Sequence, residues 1–358
     1  MVPPAPRISV ILPVHNAAAY LVEAVESIRC QSLPDWEMHV IDDGSADDSA
    51  AILGRFAAAD PRILFTSRPN RGLAATLNEG IDRARCDLVA LMNADDVSHP
   101  GRLEAQLGFL ATHPRVAVLG TQTRLLIDGH PSTVTSRLPL SPQAARAFLA
   151  TASPLAHPSV MFRRGAVIEA GGYRPHLVPA EDYDLWTRVA ERHDLANLPQ
   201  TLLDYRIHAG QASAQQIESV AIATLLVRTG QQQKRSSGAD LLVNPAPPDR
   251  ATAAALGIGD QVIDSEIRQT ALGRAESILA ATGSGARAKA VLEAIDDSPT
   301  AQADPMRWQA THDWLDGRVA WCEGRRLAAL RLVLTAALHD ASLARRLVAA
   351  GLRRARPG

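Results

Sequence analysis

Leu88-Val89-Ala90-Leu91-Met92-Asn93-Ala94-Asp95-Asp96 is a run of five apolar residues that stops at a polar tetrad ending in two carboxylates. A short apolar run of this kind reads as a strand covered on both faces that delivers its acids at its carboxyl end. The pattern recurs upstream, where Met38-His39-Val40-Ile41 ends at Asp42-Asp43-Gly44-Ser45 and Ile8-Ser9-Val10-Ile11-Leu12 is stopped by Pro13. Ile63-Leu64-Phe65 and Val116-Ala117-Val118-Leu119 are further strand-like runs. Between them apolar residues fall at helical spacing: Leu21, Val25 and Ile28; Leu73, Leu77 and Ile81; Leu103, Leu107 and Leu110. Ser45 with Asp48 predicts a capping box, and Ser98 a further cap. Strand–helix alternation predicts an α/β fold, a mostly parallel sheet flanked by helices. Ligands of such sheets bind beyond the carboxyl ends of the strands, where both acidic clusters fall.

Further along, the pattern loosens. From Ile127 to about Ala180 polar turns alternate with short apolar runs, and a helix is predicted from Glu181 to about His193. After Ser213 the chain becomes rich in Ala, Leu and Arg, with a break at Asn244-Pro245-Ala246-Pro247-Pro248. The expected organisation is a first domain over residues 1–213, a helix and linker over 214–249, and an α-helical C-terminal domain over 250–358. Its helices are predicted at 261–281, 284–295, 307–323, 325–339 and 341–355. Leu327, Leu330, Leu334, Leu343, Leu347 and Leu352 then read as a bundle core with arginines on the wet face. The other reading is a basic amphipathic surface that meets anionic lipid.

Bulk properties narrow the function classes. A chain of 358 residues exceeds one ordinary core, and 46% hydrophobic residues argue against extended disorder. A net charge of −1 excludes an electrostatic nucleic-acid binder. The charge is uneven, though: residues 324–358 hold eight arginines against one acid, Asp340, a net of +7. Cys30, Cys86 and Cys322 are odd in number and far apart, which fits a reducing compartment rather than a disulfide framework or zinc site. No signal-like leader and no apolar stretch of about 18 residues is present, so the expected location is cytoplasmic, with peripheral contact at the inner membrane face as an extension.

Taken singly, no acidic cluster decides a function. Asp42-Asp43-Gly44-Ser45 can accept hydrogen bonds from a base or ribose, yet Asp-Gly after a strand is also an ordinary turn. Asp95 and Asp96 can hold Mg²⁺ or Mn²⁺ together with phosphate oxygens, and can equally favour a helix start. Glu181-Asp182-Tyr183-Asp184 can supply a general base, or only acids in a first helical turn.

The ordered set is more specific. Ile8–Asn16, Gln31-Ser32, Ile41–Ser45, Asn70-Arg71-Gly72-Leu73-Ala74 with Asn78 and Gly80, Asn93–Asp96 with Pro100, Arg102 and Leu103, His157-Pro158-Ser159, Gly171-Gly172-Tyr173, Glu181–Trp186 and Tyr205-Arg206-Ile207-His208 occur in sequence. Over residues 7–213 the chain resembles the inverting glycosyltransferases of the GT-A fold called family 2. That resemblance implies a GT-A-like sheet and transfer of a sugar from a nucleoside diphosphate to an acceptor hydroxyl with inversion, in synthesis of cell-surface polysaccharide or glycoconjugate. It implies a donor pocket of Pro13, His15, Asn16, Asp42, Asp43, Arg71, Asn93 and Ala94, with Asp43 toward the base. Asp95 and His208 would hold Mn²⁺ or Mg²⁺, Asp182 would be the base with Glu181 beside it, and His157 would shape the acceptor side. The family's metal motif usually opens with Asp, where this chain has Asn93, so Asp95 and Asp96 are left to bind the ion with more reliance on diphosphate oxygens. The implied partners are a UDP-sugar and an acceptor glycan or lipid-linked saccharide, and no nucleic acid.

Two other functions compete. A sugar-phosphate nucleotidyltransferase would carry a Gly-rich loop with a basic residue after the first strand, where this chain has Pro13-Val14-His15-Asn16-Ala17. A non-catalytic nucleotide-sugar-binding scaffold would have no physical need for so costly a set of carboxylates.

Overall fold

The computed structural model describes residues 5–208, 216–243 and 246–354. The chain forms two compact units, Met1–His208 with Leu226–Pro248 and Ala209–Leu225 with Asp249–Gly358. The expected boundary at residue 213 and the Asn244-Pro245 part of the predicted break lie outside the described residues.

In the first unit the strands are β1 (Ile8–Val14), β2 (Trp36–Asp43), β3 (Ile63–Arg68), β4 (Leu88–Leu91), β5 (Val97–Ser98), β6 (Val116–Ile127), β7 (His130–Thr135), β8 (Met161–Arg163) and β9 (Asp194–Ile207). They make one sheet in the order β3-β2-β1-β4-β8-β6-β9-β5, with β7 paired to β6. The β3-β2-β1-β4 half is parallel, as the buried apolar runs require. Beyond β4 the sheet is mixed: β8 is antiparallel to both β4 and β6, and β6 is parallel to β9. Two reversals therefore return β9 to the direction of β4. The carboxyl ends of β1, β2, β3, β4 and β9 all reach one edge, which brings His208 to Asp95, 113 residues before it.

Helices α1 (Ala18–Arg29), α2 (Ser49–Ala59), α3 (Leu73–Arg83) and α4 (Arg102–Thr112) follow the first strands, as their apolar spacing predicts. Leu21, Val25, Ile28, Leu77, Ile81, Leu103 and Leu110 are all buried. Gly80 allows α3 to lie close on β1, since a Cβ there would meet Ile11 Cγ2 at 2.5 Å. The unit continues through α5 (Pro142–Phe148), α6 (Arg164–Glu169) and α7 (Glu181–Val189). Two caps differ from expectation. Ser45 caps no helix: α2 starts at Ser49, and Ser45 Oγ accepts from the Asn16 backbone N–H at 2.9 Å. Ser98 lies in β5 instead of capping α4, whose N-terminal neighbour is Gly101. The helix at Glu181 ends at Val189, because Asp194 already opens β9.

After α8 (Ile217–Ser237) come α9 (Arg250–Ala255), α10 (Asp260–Thr282), α11 (Gly285–Glu293), α12 (Pro299–Ala303), α13 (Pro305–Cys322), α14 (Arg326–His339) and α15 (Ala341–Arg354). The second unit has a core of Ile263, Ile267, Leu272, Leu279, Leu292, Trp314 and Leu315. Arg250 ties it together by pairing with Glu218 and Asp264 and donating to Thr300. The predicted leucine core fails in α14: Leu327, Leu330 and Leu334 are exposed, and the buried positions are Ala329 and Ala336. Leu343 is buried and Leu347 partly so, while the side chain of Leu352 lies outside the described residues.

Candidate active site

The β1 and β2 ends form the first wall. Pro13 is partly buried, and His15 and Asn16 are exposed in the loop after β1. Asn16 adopts φ 51, and its side-chain oxygen accepts from Ala46 N at 2.8 Å, tying the two loops together. His15 Nδ1 lies 3.0 Å from the Asp43 carbonyl and 3.3 Å from Asn70 Nδ2.

Both acids at the end of β2 are buried and already committed. Asp42 accepts from Ser45 N at 3.1 Å and from Ser67 Oγ at 2.7 Å. Asp43 accepts from Arg71 N at 2.7 Å and Gly72 N at 2.9 Å, and pairs with the Arg68 guanidinium. Burial opposes its ionisation, but these donors outweigh it and hold the carboxyl below its usual range. Asp43 therefore shapes the turn after β3. Arg71 follows on that turn with its side chain exposed, 3.9 Å from Glu79. Arg68, a residue that sequence reasoning missed, is the cation of this corner, pairing with Glu79 as well as Asp43. No spacing rule marks it, because it becomes special only through the β2–β3 register.

The β4 and β9 ends supply the second wall. Asp95 Oδ2 lies 3.0 Å from His208 Nε2, and both side chains are 21% exposed. One carboxylate oxygen and one imidazole nitrogen, adjacent and partly open, fit a divalent ion that draws its remaining ligands from diphosphate or water. Among the described residues no cluster of three or more His, Cys, Asp or Glu forms a closed cage. Asp96 does not join them. It is fully buried and accepts from Arg206 N at 2.9 Å, and burial beside Asp95 raises its carboxyl well above the usual range against the pull of Arg206 and Asn93. Asn93 thus turns toward Asp96, and Ala94 is buried.

Arg206 belongs to the Tyr205–His208 motif and supports the site from β9. Its Nε donates to the Asp95 carbonyl at 2.6 Å, its guanidinium pairs with Glu23, and it lies 4.8 Å over the Tyr20 ring. Tyr20 in turn packs 4.7 Å from His208. One arginine on β9 therefore fixes both the loop of Asp95 and the first turns of α1. Arg102 is another hidden support: fully buried in α4, it donates to the Leu91 carbonyl at 2.6 Å and the Val160 carbonyl at 3.3 Å.

The third wall comes from the start of α7 and the turn at His157–Ser159 that leads into β8. Glu181 is 5% exposed, and its Oε2 is buried with no hydrogen-bond partner among the described residues. Burial and the neighbouring Asp182 push it up to about 8. Asp182 is partly buried and raised by burial, opposed by His157, by the Tyr183 N–H at 2.7 Å and by Ser153. Asp184 faces away into ion pairs with Arg174 and Arg188. His157 Nε2 shares a 2.9 Å hydrogen bond with the Tyr173 hydroxyl, and burial lowers its affinity for a proton against the pull of Asp182. Tyr173 is held at its backbone by Asn78, which accepts from its N–H and donates to its carbonyl, both at 2.8 Å. The motif residues Asn78, Gly172, Tyr173 and His157 thus form one support that leads to Asp182.

Residues 9–171 match the model of the glycosyl transferase family 2 domain. The amylovoran biosynthesis glycosyltransferase AmsE of Erwinia amylovora is 35% identical over 188 residues, 52% of this chain and 70% of that protein. The chain belongs to glycosyl transferase family 2. The O-antigen biosynthesis glycosyltransferase WbnJ of Escherichia coli is 30% identical over 207 residues, 56% of this chain and 80% of that protein. Among solved structures, S. aureus TarS 1–349 in complex with UDP-GlcNAc aligns with TM-score 0.55 at 16% identity, over 93% of this chain and 91% of that one. The mannosyltransferase PcManGT of Pyrobaculum calidifontis, in complex with GDP-Man and Mn²⁺, aligns with TM-score 0.50 at 19% identity, over 93% and 86%. These likenesses give the GT-A-like fold. The chain is a sugar-transferring enzyme, which sets aside the scaffold and nucleotidyltransferase readings. No helix among the described residues is long and apolar enough to cross a membrane.

Proposed function

We propose that this glycosyltransferase moves a sugar from a UDP-sugar to a hydroxyl of a glycan or lipid-linked saccharide, with inversion, in assembly of a surface polysaccharide. Support comes from the relatives named for amylovoran and O-antigen biosynthesis and from the neighbours solved with UDP-GlcNAc and GDP-Man. The observation that carries the reading is Asp182: a partly open carboxyl with raised proton affinity, at the sheet edge that also carries the Asp95–His208 pair. A carboxylate whose proton affinity is raised by burial is a stronger base toward an acceptor hydroxyl than an exposed one.

The reaction is a single displacement. The acceptor oxygen bonds to the anomeric carbon as the bond from that carbon to the diphosphate oxygen breaks, and the electron pair leaves with the nucleoside diphosphate. Asp182 takes the hydroxyl proton. Pro13, His15, Asn16, Asp42, Asp43 and Arg71 line the donor's nucleotide, with Asp43 holding the Arg71–Gly72 backbone rather than reading the base alone. Asp95 and His208 would hold Mn²⁺ or Mg²⁺, which when bound neutralises charge on the departing diphosphate. Asn93 and Ala94 complete that loop.

Calorimetric titration with UDP-, GDP- and dTDP-sugars, each with and without Mn²⁺, tests donor and ion together. The expected result is tightest binding of a UDP-sugar, weakened about tenfold or more by chelation or by Asp95→Asn. Donor binding and transfer that both survive exhaustive chelation would remove Asp95 and His208 from the ion-binding role.

A further inference from the structure

α14 is apolar around most of its circumference but buries only one side. That side is made of small residues. Ala329 and Ala336 are buried, and Gly317 of α13 lets the two helices approach, since a Cβ there would meet Val333 Cγ2 at 2.6 Å and the Ala329 carbonyl oxygen at 3.1 Å. The large side chains point the other way: Leu327 is 86% exposed, Leu330 51%, Leu334 45% and Leu338 85%. At about 100° per residue, Leu327, Leu334 and Leu338 fall within about 40° of arc, opposite the alanines, with Leu330 at the margin.

The cations of this region share that exposure. Arg331 flanks the leucine arc, about 20° beyond Leu338, and Arg325 and Arg326 open the helix, all three exposed. Arg325 pairs with Glu323, and the Arg326 guanidinium lies 5.9 Å from the ring of Trp321, which is itself exposed. Residues 324–358 carry a net of +7. A row of leucines in water costs free energy unless something covers it. A second copy presenting the same face would bring the same arginines, and like charges oppose that pairing. An anionic bilayer answers both features: the leucines enter the boundary between headgroups and acyl chains, and the guanidiniums meet phosphates.

We infer that α14 docks this glycosyltransferase onto an anionic membrane surface through Leu327, Leu330, Leu334 and Leu338, with Arg325, Arg326 and Arg331 against the headgroup phosphates. The inference is independent of which residues act as base or hold the ion.

The test is co-sedimentation of the full chain with vesicles of phosphatidylglycerol and phosphatidylcholine, and with phosphatidylcholine alone, at low and high salt. The protein is expected to pellet with the anionic vesicles at low salt and to stay in solution otherwise. The triple variants L327S/L334S/L338S and R325E/R326E/R331E are each expected to lower binding about tenfold or more, with an unchanged thermal midpoint and unchanged transfer to a soluble acceptor. Three results would overturn the inference: wild-type protein left in the supernatant with anionic vesicles, both variants pelleting like wild type, or a dimer in light scattering that the leucine variant dissolves while no vesicle binds.

Discussion

Asp42-Asp43 and Glu181-Asp182 are both pairs of adjacent acids that the fold brings to one sheet edge, and their surroundings are opposite. Asp43 is buried among donors: two backbone N–H groups and the Arg68 guanidinium. Its proton affinity falls despite burial, and the ionised carboxylate is locked. Glu181 is buried to a similar degree, yet its Oε2 has no partner among the described residues, and its pKa rises to about 8. Burial alone therefore does not decide what a carboxylate does; the donors supplied with it do. A carboxylate with donors becomes an anchor, and one without them becomes a group that exchanges protons near neutrality.

The largest effect that tests this contrast is loss of the proposed base, Asp182. Asp182→Asn should lower transfer by about 10²–10⁴-fold, while calorimetric affinity for the donor stays near the wild-type value. A variant that transfers at the wild-type rate would remove Asp182 from the base role and leave the contrast one of stability only.

Glu181→Gln probes the donor-poor side through stability. A carboxyl whose affinity for a proton is raised by folding binds more protons folded than unfolded. Stability therefore falls as pH rises from the ordinary value of 4.5 to the folded value of about 8. Across that window the wild-type chain should lose a few kcal/mol, a slope that Glu181→Gln flattens. Urea unfolding at pH 5 and pH 8 measures it, and equal slopes in both proteins would show that Glu181 is ionised in the fold.

Asp43→Asn probes the donor-rich side, with the opposite sign. Its lowered proton affinity stabilises the fold above the ordinary value of 3.8, and that stabilisation is lost as pH falls through the lower folded value. Removing the charge should cost about 1–3 kcal/mol at pH 7 and weaken donor binding, because the Arg71–Gly72 turn loses its anchor. The difference from wild type should shrink in strongly acidic urea melts; a constant difference would mean that the side-chain shape, not the charge, holds the turn.

How far these environments were legible in the sequence follows from how local each signal is. The parallel strands could be read because a strand covered on both faces must be mostly apolar, and Ile8–Leu12 and Met38–Ile41 are so apart from Ser9 and His39. The acids at the strand ends followed from the same reading. The antiparallel insertion of β8 did not, since Met161–Arg163 is only three residues long. Arg68 and Arg206 escaped because their partners are set by strand register and by two chain reversals. The leucines of α14 misled for another reason. Counting large apolar residues as core assumes wide helix spacing, whereas Gly317, Ala329 and Ala336 allow a close approach that turns the leucines outward.

The smallest effect concerns the support behind Asp182. Tyr173 is anchored by Asn78 through two backbone hydrogen bonds, and its hydroxyl shares the 2.9 Å bond with His157 Nε2. Its ring packs edge-on against Trp186 at 6.3 Å, so Tyr173→Phe keeps the packing and removes only the hydroxyl. A lost neutral hydrogen bond should cost about 1 kcal/mol. The His157 imidazole beside Asp182 then keeps its aromatic contact with Trp186 at 6.1 Å but loses that hydrogen bond. Transfer should fall severalfold through kcat, with the donor KM unchanged, because none of these residues lies on the nucleotide side. A rise in donor KM with kcat intact would place His157 and Tyr173 at the donor and detach them from the base, while no change in either would reduce Asn78, Tyr173 and His157 to packing.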